Sequence, residues 1–129
     1  MASYPSDLKY DKAHEWVRID GDTAVIGISD FAQDQLGEVV FVDLPEVGSE
    51  VVAGETFGEV ESVKSVSDLF SPVSGSIVEK NEGLSDTPET VNEDAYGAGW
   101  LIKVKMSDAS QLDGLMAAAE YEAFVAGEA

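Results

Sequence analysis

Short runs rich in Val, Ile and Phe, each closed by Gly, Pro or Asp, recur along the first hundred residues, and this spacing constrains the fold most. Runs of this length and composition suit β-strands and are too short for packed helices. The spacing predicts strands at Glu15–Ile19, Thr23–Ile28, Val39–Leu44, Glu50–Val52, Thr56–Val63, Val66–Phe70, Gly75–Lys80 and Trp100–Lys105. Asp20-Gly21-Asp22 reads as a hairpin turn, and Pro45, Pro72 and Pro88 fall between runs, where no ladder bond is lost. Gly97-Ala98-Gly99 is likewise a turn, because Ile102 stands where a dinucleotide fingerprint needs its third Gly.

Two segments break the β pattern. Ser29 as N-cap, Asp30 in the first turn and Gly37 as the stop predict a short helix over 29–37. Leu112, Leu115, Met116, Ala119 and Ala123 form a helical stripe, expected to lie over one end of the β core. Ser107 is the expected cap of its first turn, and Gly114 divides the region into two helices. Gly48–Glu55 also matches Gly75–Glu82 at four of eight positions, flanking Glu61-Ser62-Val63-Lys64-Ser65-Val66, as a quasi-two-fold β sandwich would require. The 129 residues are expected to form one domain, 1–129, with a hairpin core at about 39–82.

Charge narrows the chemistry. Seven Lys and Arg against 26 Asp and Glu give a net charge of −19, which repels nucleic acid and anionic lipid and suits partners with basic patches. With no Cys and a single His, His14, neither a thiolate or zinc site nor a nucleophile relay can be assembled, so no catalytic residue and no metal ligand is expected. His14, Trp16 and Trp100 are expected as packed, hydrogen-bonded structure. Asp20-Gly21-Asp22 fails as a calcium loop at Ala24. No leader and no apolar run of about 20 residues is visible, so a cytoplasmic address is expected; a mature mitochondrial form with an added Met1 also fits.

Lys64 is the most informative residue. It stands between two Val-rich runs at an expected hairpin tip, where its four methylenes would give an attached group a swinging radius. Acylation there would move the net charge from −19 to −20. Taken alone, Val-Lys-Ser is a solvated turn lysine.

The residues around it say more. Gly58-Glu59-Val60-Glu61-Ser62-Val63-Lys64-Ser65-Val66-Ser67-Asp68-Leu69-Phe70-Ser71-Pro72-Val73-Ser74-Gly75 closely resembles the lipoyl-attachment hairpin of the glycine cleavage system H protein family. His14-Glu15-Trp16-Val17, Ile26-Gly27-Ile28-Ser29, Leu36 to Val42, Leu44 to Gly48, Val91-Asn92 and Gly99-Trp100-Leu101 resemble further blocks of that family, in order, over about residues 8–125. The chain departs at Ser65, where the family often has Ala, at Thr90 and Ala95, and at Ala13, where some members carry a hydroxyl.

The resemblance implies a mainly β, lipoyl-type barrel-sandwich hybrid of two small antiparallel sheets, with flanking helices. It implies lipoic acid in amide linkage to Lys64, Glu61, Val63 and Ser65 as the hairpin's recognition residues, and Glu15 and Asp68 lining a cleft for the aminomethyl-bearing arm. Such a carrier has no catalysis of its own. Its implied partners are the PLP-dependent glycine decarboxylase (P protein), the tetrahydrofolate-dependent aminomethyltransferase (T protein), dihydrolipoamide dehydrogenase (L protein) and lipoate-attaching enzymes. An alternative is a relative that mainly passes lipoyl groups to other acceptors. A phosphopantetheine carrier would need Asp-Ser-Leu at a helix start, whereas Ser67-Asp68-Leu69 lies in a β run. A biotin carrier usually has methionines beside its lysine, where Lys64 has Val and Ser.

Overall fold

The computed structural model describes residues 4–127. Among these residues ten strands form two antiparallel sheets that do not close into a barrel. They are β1 (Lys9–Tyr10), β2 (Glu15–Asp20), β3 (Thr23–Ile28), β4 (Val39–Asp43), β5 (Glu50–Val51), β6 (Thr56–Ser62), β7 (Val66–Phe70), β8 (Gly75–Lys80), β9 (Ile102–Met106) and β10 (Met116–Ala117). The larger sheet runs β10-β1-β2-β3-β9-β8-β5 and the smaller β4-β6-β7. Helices α1 (Asp30–Leu36), α2 (Thr90–Glu93) and α3 (Ala118–Ala126) flank them, with 3-10 turns at Glu82–Ser85 and Ala109–Gly114. Among the described residues no helix is long and apolar enough to cross a membrane.

The period-2 alternation of β3 explains the layering. Ala24, Ile26 and Ile28 face the three-stranded sheet and pack with Val39, Val42, Phe57, Val60 and Leu69. Val25 points the other way, into an aromatic cluster of Tyr10, Trp16 and Tyr121 beneath α3. Trp16 sits opposite Gly27, and a Cβ at Gly27 would stand 2.6 Å from the indole, so only glycine leaves the ring room. The indole N–H donates to Ala95 O at 2.9 Å, as a buried Trp requires. The two repeat copies become sheet partners, with Glu50 opposite Ser76 and Val51 opposite Gly75.

Three expectations need correction. The C-terminal stripe is not one helical face: Met116–Ala117 is a strand paired to Tyr10 and Lys9, because the edge of β1 offers unpaired backbone groups there. The residues α3 buries are Tyr121 and Val125, while Ala119 and Ala123 are exposed. Asp108, not Ser107, caps the turn at Ala109–Gly114, its carboxylate accepting from Ser110 N–H. Trp100 precedes its strand and is half-buried, with Lys103 Nζ 4.9 Å over its ring.

Candidate functional site

Strands β6 and β7 are joined through Val63-Lys64-Ser65, a tip built around one buried hydroxyl. Ser62 Oγ accepts from the N–H groups of Lys64 and Ser65, both at 3.2 Å, while Ser62 N–H donates to Ser65 O at 2.8 Å. This Ser-based turn gives the exposed tip a fixed base. A strap behind it adds a second anchor: Val63 N–H donates to Glu38 O at 3.0 Å.

That strap is held in turn by Asn92 on α2. Its Nδ2 donates to Gly37 O at 2.8 Å and to Gln33 Oε1 at 3.0 Å, and its Oδ1 accepts from Val39 N–H at 2.8 Å. Gly37 caps α1 at φ +81°, a conformation that favours glycine. A Cβ at Gly37 would lie 3.1 Å from Lys64 Cε. The lysine stem therefore rests in a cradle that any side chain at position 37 would fill.

Between this hairpin, α1 and the start of β2 lies a cleft of about 370 Å³. Leu36, Val60 and Leu69 give it apolar walls, and Ser65, Asp68, Gln35, His14 and Glu15 give it polar ones. Lys64, Glu61, Val63 and Ser65 are all exposed at the tip, Val63 by 66%. Asp68 is exposed on β7, while Glu15 is 1% exposed on β2, so the two carboxyls expected in one cleft do line it but in opposite environments.

Glu15 departs most from expectation. Its Oε2 accepts from Phe70 N–H at 3.3 Å, while Oε1 meets no donor among the described residues. Burial first, and then the neighbouring Asp11 carboxyl, push its pKa up to about 11. At neutral pH it is an uncharged acid, not the carboxylate that composition suggests.

Two features went unread in the sequence. Asp11 orders the turn into β2, its Oδ1 accepting from the N–H groups of Ala13 at 3.0 Å and Glu15 at 2.9 Å. The same turn holds His14 at φ +71°. His14 Nδ1 meets Tyr121 Oη at 2.8 Å, and that hydroxyl meets Ser29 Oγ at 2.7 Å, which also accepts Ala32 N–H as the N-cap of α1. A hydroxyl on the C-terminal helix thus ties together two walls of the cleft. Only the Ser29 cap had a local signal; contacts at separations of 92 and 107 residues have none.

Comparison with known proteins is consistent along the whole chain. The family model described as Glycine cleavage H-protein matches residues 8–128. A relative from Marinobacter nauticus, named Glycine cleavage system H protein, is 57% identical over 129 residues and covers 99% of each chain. One of the same name from Symbiobacterium thermophilum is 56% identical over 124 residues, 96% of this chain and 97% of its own. The crystal structure of a glycine cleavage system H protein from Mycobacterium marinum matches with a TM-score of 0.87 at 45% identity, over 95% of this chain and 98% of that one.

Proposed function

Since this chain belongs to the glycine cleavage H-protein family, whose members are carrier subunits without catalysis of their own, we propose that it carries the aminomethyl group of glycine on a lipoyl arm at Lys64. The arm would be loaded by the PLP-dependent glycine decarboxylase, unloaded by the tetrahydrofolate-dependent aminomethyltransferase and reoxidised by dihydrolipoamide dehydrogenase. Lipoic acid, amide-linked to Lys64 Nζ, supplies the sulfur chemistry that a chain without Cys lacks. The reading extends to the whole chain, 1–129, as one carrier domain, and the bacterial relatives support a cytoplasmic address.

The observation that carries this reading is the juxtaposition of an exposed lysine, a glycine cradle for its stem and a cleft that opens beside it. The residues present fit such an arm. Leu36, Val60 and Leu69 would hold its aliphatic part, and Asp68 and Glu15 would face a cationic end. Glu61, Val63 and Ser65 present the tip to the enzymes that acylate it. An enclosed cargo is kept from water, which slows its hydrolysis.

Intact mass and peptide mapping of protein from its native cells test the reading. One lipoyl increment on Lys64, absent from Lys64→Arg, is expected. An unmodified Lys64 in cells with active lipoylation would overturn it.

A further inference from the structure

The buried acid at the end of the cleft has a neighbour with no part in the reading above. Asp11 and Glu15 are four residues apart on a turn that folds back on itself, Asp11 N–H donating to Glu15 O at 3.1 Å and His14 N–H to Asp11 O at 3.1 Å. Asp11 Oδ1 accepts from Glu15 N–H at 2.9 Å, which sets the two acids side by side. Glu15 faces the cleft, whereas Asp11 lines a separate open depression of about 480 Å³ with Lys12, Phe70 and Leu115. The pair therefore spans the wall between cleft and solvent.

Two carboxyl groups side by side cannot both be ionised where water is scarce. Among the described residues no N–H or O–H donor faces Glu15 Oε1, so a proton between the two acids is what satisfies it. The negative end is fixed as well. Two backbone N–H groups point at Asp11 Oδ1, which favours charge on Asp11 and leaves the proton on Glu15. Other ionisable groups close to Glu15 are His14, next in the chain, and Asp68 across the cleft on β7, with Tyr121 behind His14 and Lys12 at the rim of the depression.

We propose that Asp11 and Glu15 share one proton through the cleft wall, and that a cationic group entering the cleft displaces it. The Glu15 O–H bond breaks, the proton passes to the Asp11 carboxylate and from there to water or buffer, and Glu15 becomes the carboxylate partner of the cation. Nothing is oxidised or reduced. The empty cleft is thereby kept free of a buried, unpaired charge, and cargo is held against a charge that exists only when needed. Linkage makes the effect reciprocal: the equilibrium constant for entry of the cation into the cleft rises about tenfold per pH unit while the empty form holds the proton and the occupied form does not. Asp11 is here a positioning residue that acts through Glu15.

The inference rests on Lys64 carrying the cargo, and the test separates the two. Protein labelled with ¹³C at the Glu and Asp carboxyls is titrated by NMR, with Glu15 assigned from the resonance missing in Glu15→Gln. In the empty protein Glu15 is expected to stay protonated at pH 7 and, in Asp11→Asn, to lose its proton at least about one pH unit lower. Asn keeps an oxygen for both backbone N–H groups, so the turn is retained; the wild-type titration decides even without that variant. After lipoylation, confirmed by intact mass, and loading with glycine and glycine decarboxylase, Glu15 is expected at its carboxylate position at pH 7. A Glu15 that titrates in the ordinary carboxylate range in the empty protein, or that stays protonated in the loaded one, overturns the proposal. Failure to load overturns the reading of Lys64 and the cargo coupling with it, while the empty-state titration still reports on the acid pair.

Discussion

At the scale of single residues, Ser62 matters more than its size suggests, because its hydroxyl is the acceptor for two of the tip's N–H groups. Ser62→Ala leaves both to water, so a loss of about 1 kcal/mol in stability is expected. Lipoate attachment at Lys64 should slow several-fold as the tip loosens. Urea unfolding and the time course of the mass increment check the two effects separately. Gly27→Ala tests a different kind of constraint. With a Cβ 2.6 Å from the Trp16 ring, the core must shift, at a cost of about 1–3 kcal/mol in urea unfolding. The tip at Val63-Lys64-Ser65 was legible from the runs that flank it, although its supports at Gly37 and Glu38 lie far off in sequence. The burial of Glu15 was not, since a carboxyl on a strand gives no sign of which face it occupies until Phe70, 55 residues away, donates to it.

At the scale of elements, the cleft stands on contacts between pieces that look unremarkable in the sequence. Helix α2 is four residues long and has no amphipathic period to detect, yet its Asn92 fixes the strap that holds the hairpin tip. Asn92→Ala removes three hydrogen bonds and is expected to cost about 1–3 kcal/mol. Faster amide exchange at Val63 would locate the damage. The strands themselves were legible to within a residue or two, because turn residues bound them; the C-terminal stripe misled because β1, too short to see, recruits Met116 and Ala117. The outer face of the small sheet sets a further balance. Asp43, Glu59 and Asp68 stand abreast on three strands, and like charges in register destabilise a sheet. Glu59→Gln should raise the urea midpoint slightly and slow association with a basic partner.

At the scale of the whole molecule, a net charge of −19 makes encounter with basic partners long-ranged. Association rates with the glycine-cleavage enzymes, followed by stopped flow, are expected to fall steadily from low to physiological ionic strength, and flat rates would remove steering from the account. Stability should depend on pH through Glu15. Its pKa is raised from 4.5 to about 11, so the native state keeps a proton that the unfolded chain has already lost. Its contribution is complete below pH 4.5 and drains away as pH rises toward 11, by at most about 1.4 kcal/mol per pH unit. Unfolding midpoints at pH 5, 7 and 9 should therefore decline, and Glu15→Gln should flatten the decline.

The hydroxyl of Tyr121 bears on how such a carrier ages. It sits near the end of the chain, yet it meets His14 and Ser29 at the cleft and stacks its ring on Tyr10, with centroids 4.6 Å apart. The hairpin that presents Lys64 makes none of these contacts. A protein nicked by a protease ahead of Tyr121 would still offer an intact lysine for acylation, while the shelter for its cargo had come apart. Such clipped molecules would count as fully modified by mass and leak their cargo all the same, so the integrity of the tail, and not the extent of modification, measures how much working carrier a preparation holds.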